Sequence, residues 1–212
     1  MKFVSQKLLS MCLVGATLGA TLSACAPVMM GGAVMGSLVA TDRRTSGAQL
    51  EDETIELRAA SRIRDSLGSR THVNINSYNR RVLLTGEVPS LQDKQLVEQI
   101  VTRVDNVQAV VNELAVLGHT TLTQRTSDTL VTGRVKAALL DAKDLFSNAY
   151  KVVTERGTTY LMGRVTQREA DRATEITRST TGVQKVVRMF EIISEDELRN
   201  QLPQPAPAET RK

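Results

Sequence analysis

Leu83-Leu84-Thr85-Gly86-Glu87-Val88 and Tyr160-Leu161-Met162-Gly163-Arg164-Val165 are two copies of one pattern. Each is an apolar run with a glycine at the same place. A helix-opening box follows each run, Ser90-x-x-Asp93 in the first copy and Thr166-x-x-Glu169 in the second. Ahead of each run stand two residues suited to a tight hairpin, Asn79-Arg80 and Arg156-Gly157. Downstream, Asn106-Val107-Gln108-Ala109-Val110-Val111 matches Gly182-Val183-Gln184-Lys185-Val186-Val187. The matches keep one order at an offset of about 76 residues, so the body of the chain is a duplication.

Each copy reads as helix–strand–strand–helix–strand. In the first helix, Ile55, Ala59, Ile63 and Leu67 share a face, as do Val131, Val135, Ala138 and Leu139. Asp52 and Asp128 are expected to be the N-caps of these helices. Val73/Ile75 and Val82/Leu84 mark the first hairpin; Val152 and Tyr160/Met162 mark the second. The second helix turns inward Leu96, Val97, Ile100, Val101 and Val104, or Ala173 and Ile176. Val110, Asn112, Leu114 and Val116, and then Val186, Arg188, Phe190 and Ile192, alternate as last strands. Gly86 and Gly163 are expected at strand ends where helix and sheet approach closely. The fold class is therefore α+β: two tandem domains, each a three-stranded sheet packed against two helices. Cores of this size are marginal alone, which favours packing of one copy on the other.

The chain has 212 residues, 41% hydrophobic but only 3% aromatic, so Val, Leu, Ile and Ala must build the cores. A net charge of +4, from 27 basic and 23 acidic residues, lacks the concentrated basic face of a nucleic-acid binder. Two His and two Cys leave little for metal sites or nucleophilic catalysis. His72 and His119 have no second ligand at metal spacing. No phosphate loop, His-Glu-x-x-His motif, nucleophile elbow or dinucleotide fingerprint is present. The expectation is a non-enzyme without metal or cofactor.

Lys2 and Lys7 precede an uncharged, mostly apolar stretch from Leu8 to Thr21, which has the length of a signal h-region. It ends in Leu22-Ser23-Ala24-Cys25, which resembles the bacterial lipobox. That resemblance implies cleavage of residues 1–24 as a signal peptide and acylation of Cys25, palmitate included. Ala26, not Asp, follows, which by resemblance sends such a lipoprotein to the outer membrane. The competing reading is an uncleaved anchor, because no charge occurs from Leu8 to Thr41. Gly15, Gly19, Gly31, Gly32, Gly36 and Pro27 weigh against it. With Cys12 removed and Cys25 acylated, no thiol is left for a disulfide framework. Residues 25–50 read as lipidated cysteine plus flexible tether, with Arg43-Arg44 as exposed charge within reach of anionic head groups. Residues 51–118 and 127–194 hold the two repeats. Residues 195–212, with Pro203, Pro205 and Pro207, read as a disordered tail.

The two Leu-x-Gly-x-Val segments and the two Val-Gln-x-Val-Val strands resemble the BON domain. With the lipobox and Thr41-Asp42-Arg43-Arg44-Thr45-Ser46-Gly47, the chain from about residue 1 to 193 is similar to dual BON-domain lipoproteins. The resemblance implies a lipid-anchored protein on the periplasmic face of the outer membrane that supports envelope integrity. It also implies binding of anionic phospholipid (phosphatidylglycerol, cardiolipin) by the second domain. Links to the outer-membrane protein assembly machinery and to division-site or amidase factors follow from it as well. The alternative is a protein-interaction scaffold for such assembly or cell-wall remodelling factors.

The residues suggest where lipid would touch. Leu130 replaces Thr54 of the first copy, one position off the buried stripe, with Val131, Arg134 and Lys136 nearby. An apolar tip beside cations suits a head-group boundary, and first-turn N–H groups would accept a phosphate. In the family an aromatic often stands where this chain has Leu130.

Overall fold

The structure, a computed structural model, describes residues 42–117 and 122–201. The first domain runs α1 (Ser46–Leu67), β1 (His72–Tyr78), β2 (Arg81–Val88), α2 (Leu91–Thr102), β3 (Ala109–Asn112) and β4 (Ala115–Val116). The second runs α3 (Leu122–Asp141), β5 (Lys151–Glu155), β6 (Thr158–Val165), α4 (Gln167–Ser179), β7 (Lys185–Ile192) and a final α5 (Glu195–Gln201). Each central strand, β2 or β6, pairs antiparallel with its hairpin partner and parallel with the last strand. In the first domain the last strand is interrupted, so β3 and β4 both pair β2. The α+β fold with two helix-covered sheets is as the sequence implied.

The expected buried faces are the cores, except that Leu96, expected on the inner face of α2, lies exposed at the edge of that face. Ile55, Ala59, Ile63 and Leu67 pack on Val82, Leu84, Val97 and Val101. Val131, Val135 and Leu139 pack on Val152, Leu161 and Ala173. The second core moves volume from helix to strand. Ala173 and Thr177 stand where the first domain has Val97 and Val101, while Tyr150 and Phe190 replace Val73 and Leu114. The two rings meet edge-on at 6.1 Å and flank Gly163.

Other sequence expectations need correction. First, Asp52 and Asp128 are not N-caps. α1 begins at Ser46, capped by Thr45, and α3 begins at Leu122, so both aspartates lie inside helices. Each instead caps the hairpin beside it. Asp52 accepts from the N–H of Asn79 and Arg80, at 2.7 and 2.8 Å, and from the Ser77 hydroxyl at 2.7 Å. Asp128 accepts from the N–H of Arg156 and Gly157, at 2.8 and 3.0 Å. Asn79, Arg80, Arg156 and Gly157 all have positive φ, the conformation of a tight hairpin turn, and the carboxylates hold those strained N–H groups in place.

Second, the close approach at the glycines is to a backbone carbonyl, at the start of β1 for Gly86 and in the short 3-10 turn before β5 for Gly163, and not to a packed α-helix. A Cβ on Gly86 would collide with the His72 carbonyl oxygen, and one on Gly163 with that of Ala149. Third, the flanking segments are more ordered than expected. Residues 42–50, assigned to the tether, form a strap and the start of α1. Residues 195–201, assigned to the tail, form α5, whose Leu198 is buried and whose Glu197 N–H bonds the Ser194 hydroxyl. The signal peptide, Cys25, the tether to Thr41, His119 and the proline-rich residues lie outside the described residues.

The sheets pack on each other through the faces turned away from the helices. Tyr78, Leu83, Tyr160, Met162 and Met189 form a third buried cluster there. Asn79 to Glu191, Lys151 to Glu56 and Asn74 to Glu155 bridge the domains at its edges. The strap adds two arginines. The Arg43 guanidinium is bidentate to Glu169, both bonds 2.7 Å, with side chains only 6% and 1% exposed. Arg44 pairs with Asp42 and Asp52 and lies over the Tyr78 ring at 4.3 Å. Arg43-Arg44 are thus held in the protein, where ion pairs compensate their burial, and are not exposed charge for head groups.

Candidate functional site: the cationic end of the second domain

The hairpin turn Arg156-Gly157, the turn from α4 to β7 and the first half of α3 meet at one end of the second domain. Asp128 draws the hairpin to α3. The Gln184 N–H bonds the Gly157 carbonyl at 2.8 Å, which draws in the second turn. Gly182, with φ 99°, lets Val131 pack against that turn, since a Cβ there would come within 2.6 Å of Val131 Cγ2.

Leu130 projects from this end with 57% of its surface exposed. Arg134, one helical turn on, is exposed and reaches the Thr181 carbonyl at 3.4 Å. Arg156 on the hairpin and Lys185 at the start of β7 are exposed too. No ion pair neutralises Arg134, Arg156 or Lys185 among the described residues. An exposed apolar side chain one turn from an arginine, on a domain end that also carries Arg156 and Lys185, can adsorb to an anionic surface and insert.

The matching end of the first domain is different. Thr54 replaces Leu130, Ala109 replaces Lys185, and Asp105 stands where Thr181 is. Asp105 lies 3.6 Å from Arg58, the counterpart of Arg134, and 3.8 Å from Arg62. Glu51 adds a further carboxylate, bonded to Asn106 at 2.8 Å.

Of the four residues the sequence assigned to lipid, this end brings together Leu130 and Arg134. Val131 is core, 3% exposed, and cannot touch a ligand. Lys136 lies around the helix, lining a cleft of roughly 360 Å³ with Asp42, Glu53, Glu56 and Lys151. The first-turn phosphate cradle is also absent there: α3 starts well before Leu130, so that N–H lies inside the helix. Arg156 and Lys185 were missed because a hairpin tip and a strand start reach this end only through tertiary contacts. The signal was the paired position Asp128, whose real partner is the hairpin carrying Arg156.

Two buried carboxylates are tuned by their partners. Burial acts to raise the Asp52 pKa, but the Arg80 N–H, Ser77, Arg44 and the Asn79 N–H outweigh it and hold it below the usual range. Burial acts the same way on Glu169, and Arg43 and the Thr166 N–H overcome it. Both serve the frame. Among the described residues no group of three His, Cys, Asp or Glu side chains could hold a metal, and no helix is long and apolar enough to cross a membrane.

Comparison with known proteins adds the family. The model of the BON domain matches residues 51–118 and 127–194. The outer membrane lipoprotein DolP of Haemophilus influenzae is 34% identical over 180 residues, 83% of this chain and 93% of that protein. A 21 kDa hemolysin of Actinobacillus pleuropneumoniae is 29% identical over 154 residues, 72% of this chain and 79% of that one. Among solved structures, the type III secretion protein CdsD of Chlamydia trachomatis covers 66% of this chain and 95% of its own, at 13% identity. Its TM-score is 0.29, too low to bear on the fold.

Proposed function

The chain belongs to the BON-domain family as a dual BON-domain, DolP-like protein, and on that premise we propose that it is a lipid-anchored envelope protein whose second domain binds anionic phospholipid. Acylated Cys25 holds it on the periplasmic face of the outer membrane, where it supports envelope integrity and does no catalysis. The supporting observation is the asymmetry of the domain ends: exposed Leu130 with Arg134 and Lys185, in no ion pair among the described residues, against Thr54, Ala109 and an Arg58 that faces Asp105 in the first domain, the hairpin arginines Arg156 and Arg80 being common to both. Each cation near an anionic surface contributes about 1 kcal/mol, and burying a leucine about 1.5–3 kcal/mol. Such a contact is weak alone, so it orients a protein that the acyl chains already hold.

Flotation of the Cys25→Ser protein with vesicles tests this reading. Phosphatidylglycerol or cardiolipin vesicles should carry it and phosphatidylcholine vesicles should not. Leu130→Glu should abolish the difference. Equal flotation with both lipids, or no effect of Leu130→Glu, refutes it. Crosslinking from Leu130 to an assembly or cell-wall factor, without intrinsic vesicle binding, would select the scaffold reading.

A further inference from the structure

The joint between the two sheets is apolar at one end and acidic at the other. Beyond Leu83, the alternation of β2 turns Glu87 into the joint, where it is only 1% exposed. Its Oε2 lies 3.3 Å from Nδ1 of His72, its register partner on β1. Glu155 of β5 enters from the other domain and accepts from the Asn74 amide at 2.9 Å. Glu113, between β3 and β4, lies 3.4 Å from the Tyr160 hydroxyl of β6. A cavity of about 310 Å³ opens beside this cluster, lined by His72, Asn74, Glu155 and, from α3, Arg125 and Asp128.

Glu155 meets further negative charge on both sides, Glu87 from β2 and Asp128 from α3. Glu53 and Glu56 of α1 line the adjoining groove. Lys151 of β5 is already bound to Glu56 and to the Ser77 carbonyl. Among the described residues that line the cavity, Arg125 is the cation, and His72 lies against Glu87.

We propose that this acidic end of the joint is a proton-operated latch: acid tightens the docking of the two domains and alkali loosens it. Docking takes the carboxylates out of water, which is costly for a charged group and far less so for a neutral one. A proton on Glu155 removes that cost. Burial, followed by the Glu87 and Asp128 charges, pushes the Glu155 pKa above the usual range against the Asn74 bond and His72. A value raised on docking means that docking takes up a proton. The added strength is therefore complete below the ordinary glutamate pKa of about 4.3 and is lost as pH rises through the raised value.

Amide hydrogen exchange of the full chain, corrected for intrinsic rates, tests the latch between pH 5 and 8. Protection of β1 and β5 should fall about tenfold for each unit by which Glu155 is raised. Glu155→Gln should flatten the profile at the acid-side level. A flat wild-type profile, or an unchanged slope in Glu155→Gln, overturns the proposal. Carbon-13 titration of the Glu155 carboxyl in the wild type needs no variant: a midpoint above the ordinary range supports the latch, and one at or below it refutes it.

Discussion

The two domains repeat one frame but differ in what surrounds the start of their second helix. In the first, Ser90 caps α2 and Asp93 pairs with Arg70, whose side chain is 59% exposed. In the second, Thr166 and Glu169 form a complete capping box, and Glu169 is sealed under Arg43, which arrives from the strap. The same motif is a local cap in one domain and, in the other, the anchor for the segment that leads from the amino-terminal stretch. Duplication preserved the local chemistry, and the difference lies in what reaches it from far along the chain.

The largest expected effect breaks that comparison. Arg43→Ala leaves a buried carboxylate without its cation and should cost about 3–5 kcal/mol in urea unfolding. Arg70→Ala removes an exposed partner and should cost no more than about 1 kcal/mol. Equal losses would contradict the distinction. The lowered pKa values of Asp52 and Glu169 carry a related pH dependence. Their contribution is fully present above the ordinary carboxylate range and is lost as pH falls through their depressed values, so unfolding midpoints should drop below about pH 4. That limb is opposite in sign to the latch, which strengthens toward acid.

A smaller effect tests the redistributed core. The Thr177 hydroxyl is buried without a hydrogen-bond partner where the first domain has Val101. Thr177→Val should stabilise by about 1 kcal/mol, because an unsatisfied buried polar atom is removed at nearly constant volume. Destabilisation would mean that the hydroxyl is satisfied.

How much of this was readable along the chain follows from distance. The hairpins, the buried helix faces and the helix-opening boxes are local patterns, and the structure places them where periodicity put them, apart from Leu96, which is exposed. The roles of Asp52 and Asp128 were misread because an acidic residue before an apolar stripe looks like a cap. Their partners at Asn79-Arg80 and Arg156-Gly157 lie across the fold. The Arg43–Glu169 pair was illegible, since only tertiary packing brings the strap to the second domain. By contrast, the Ser194-Glu195-Asp196-Glu197 run was a readable helix start, overshadowed by the prolines after it. At the proposed lipid site, the Leu130-for-Thr54 exchange was legible by aligning the repeats. The cations from the hairpin and β7 needed the fold.

The smallest effect sharpens the comparison of the domain ends. Thr181→Asp places beside Arg134 the carboxylate that neutralises Arg58 in the first domain. It should weaken binding to anionic vesicles about fivefold, the equivalent of one cation, and leave thermal stability within about 0.5 kcal/mol. Unchanged binding would mean that Arg134 does not face the membrane.

The central claim is that membrane contact belongs to one end of one domain. Flotation of the Cys25→Ser protein with phosphatidylglycerol vesicles, run in parallel for Arg134→Glu and its counterpart Arg58→Glu, tests it most directly. Only Arg134→Glu should lower the bound fraction. An equal loss in both variants, or a loss confined to Arg58→Glu, would contradict the account.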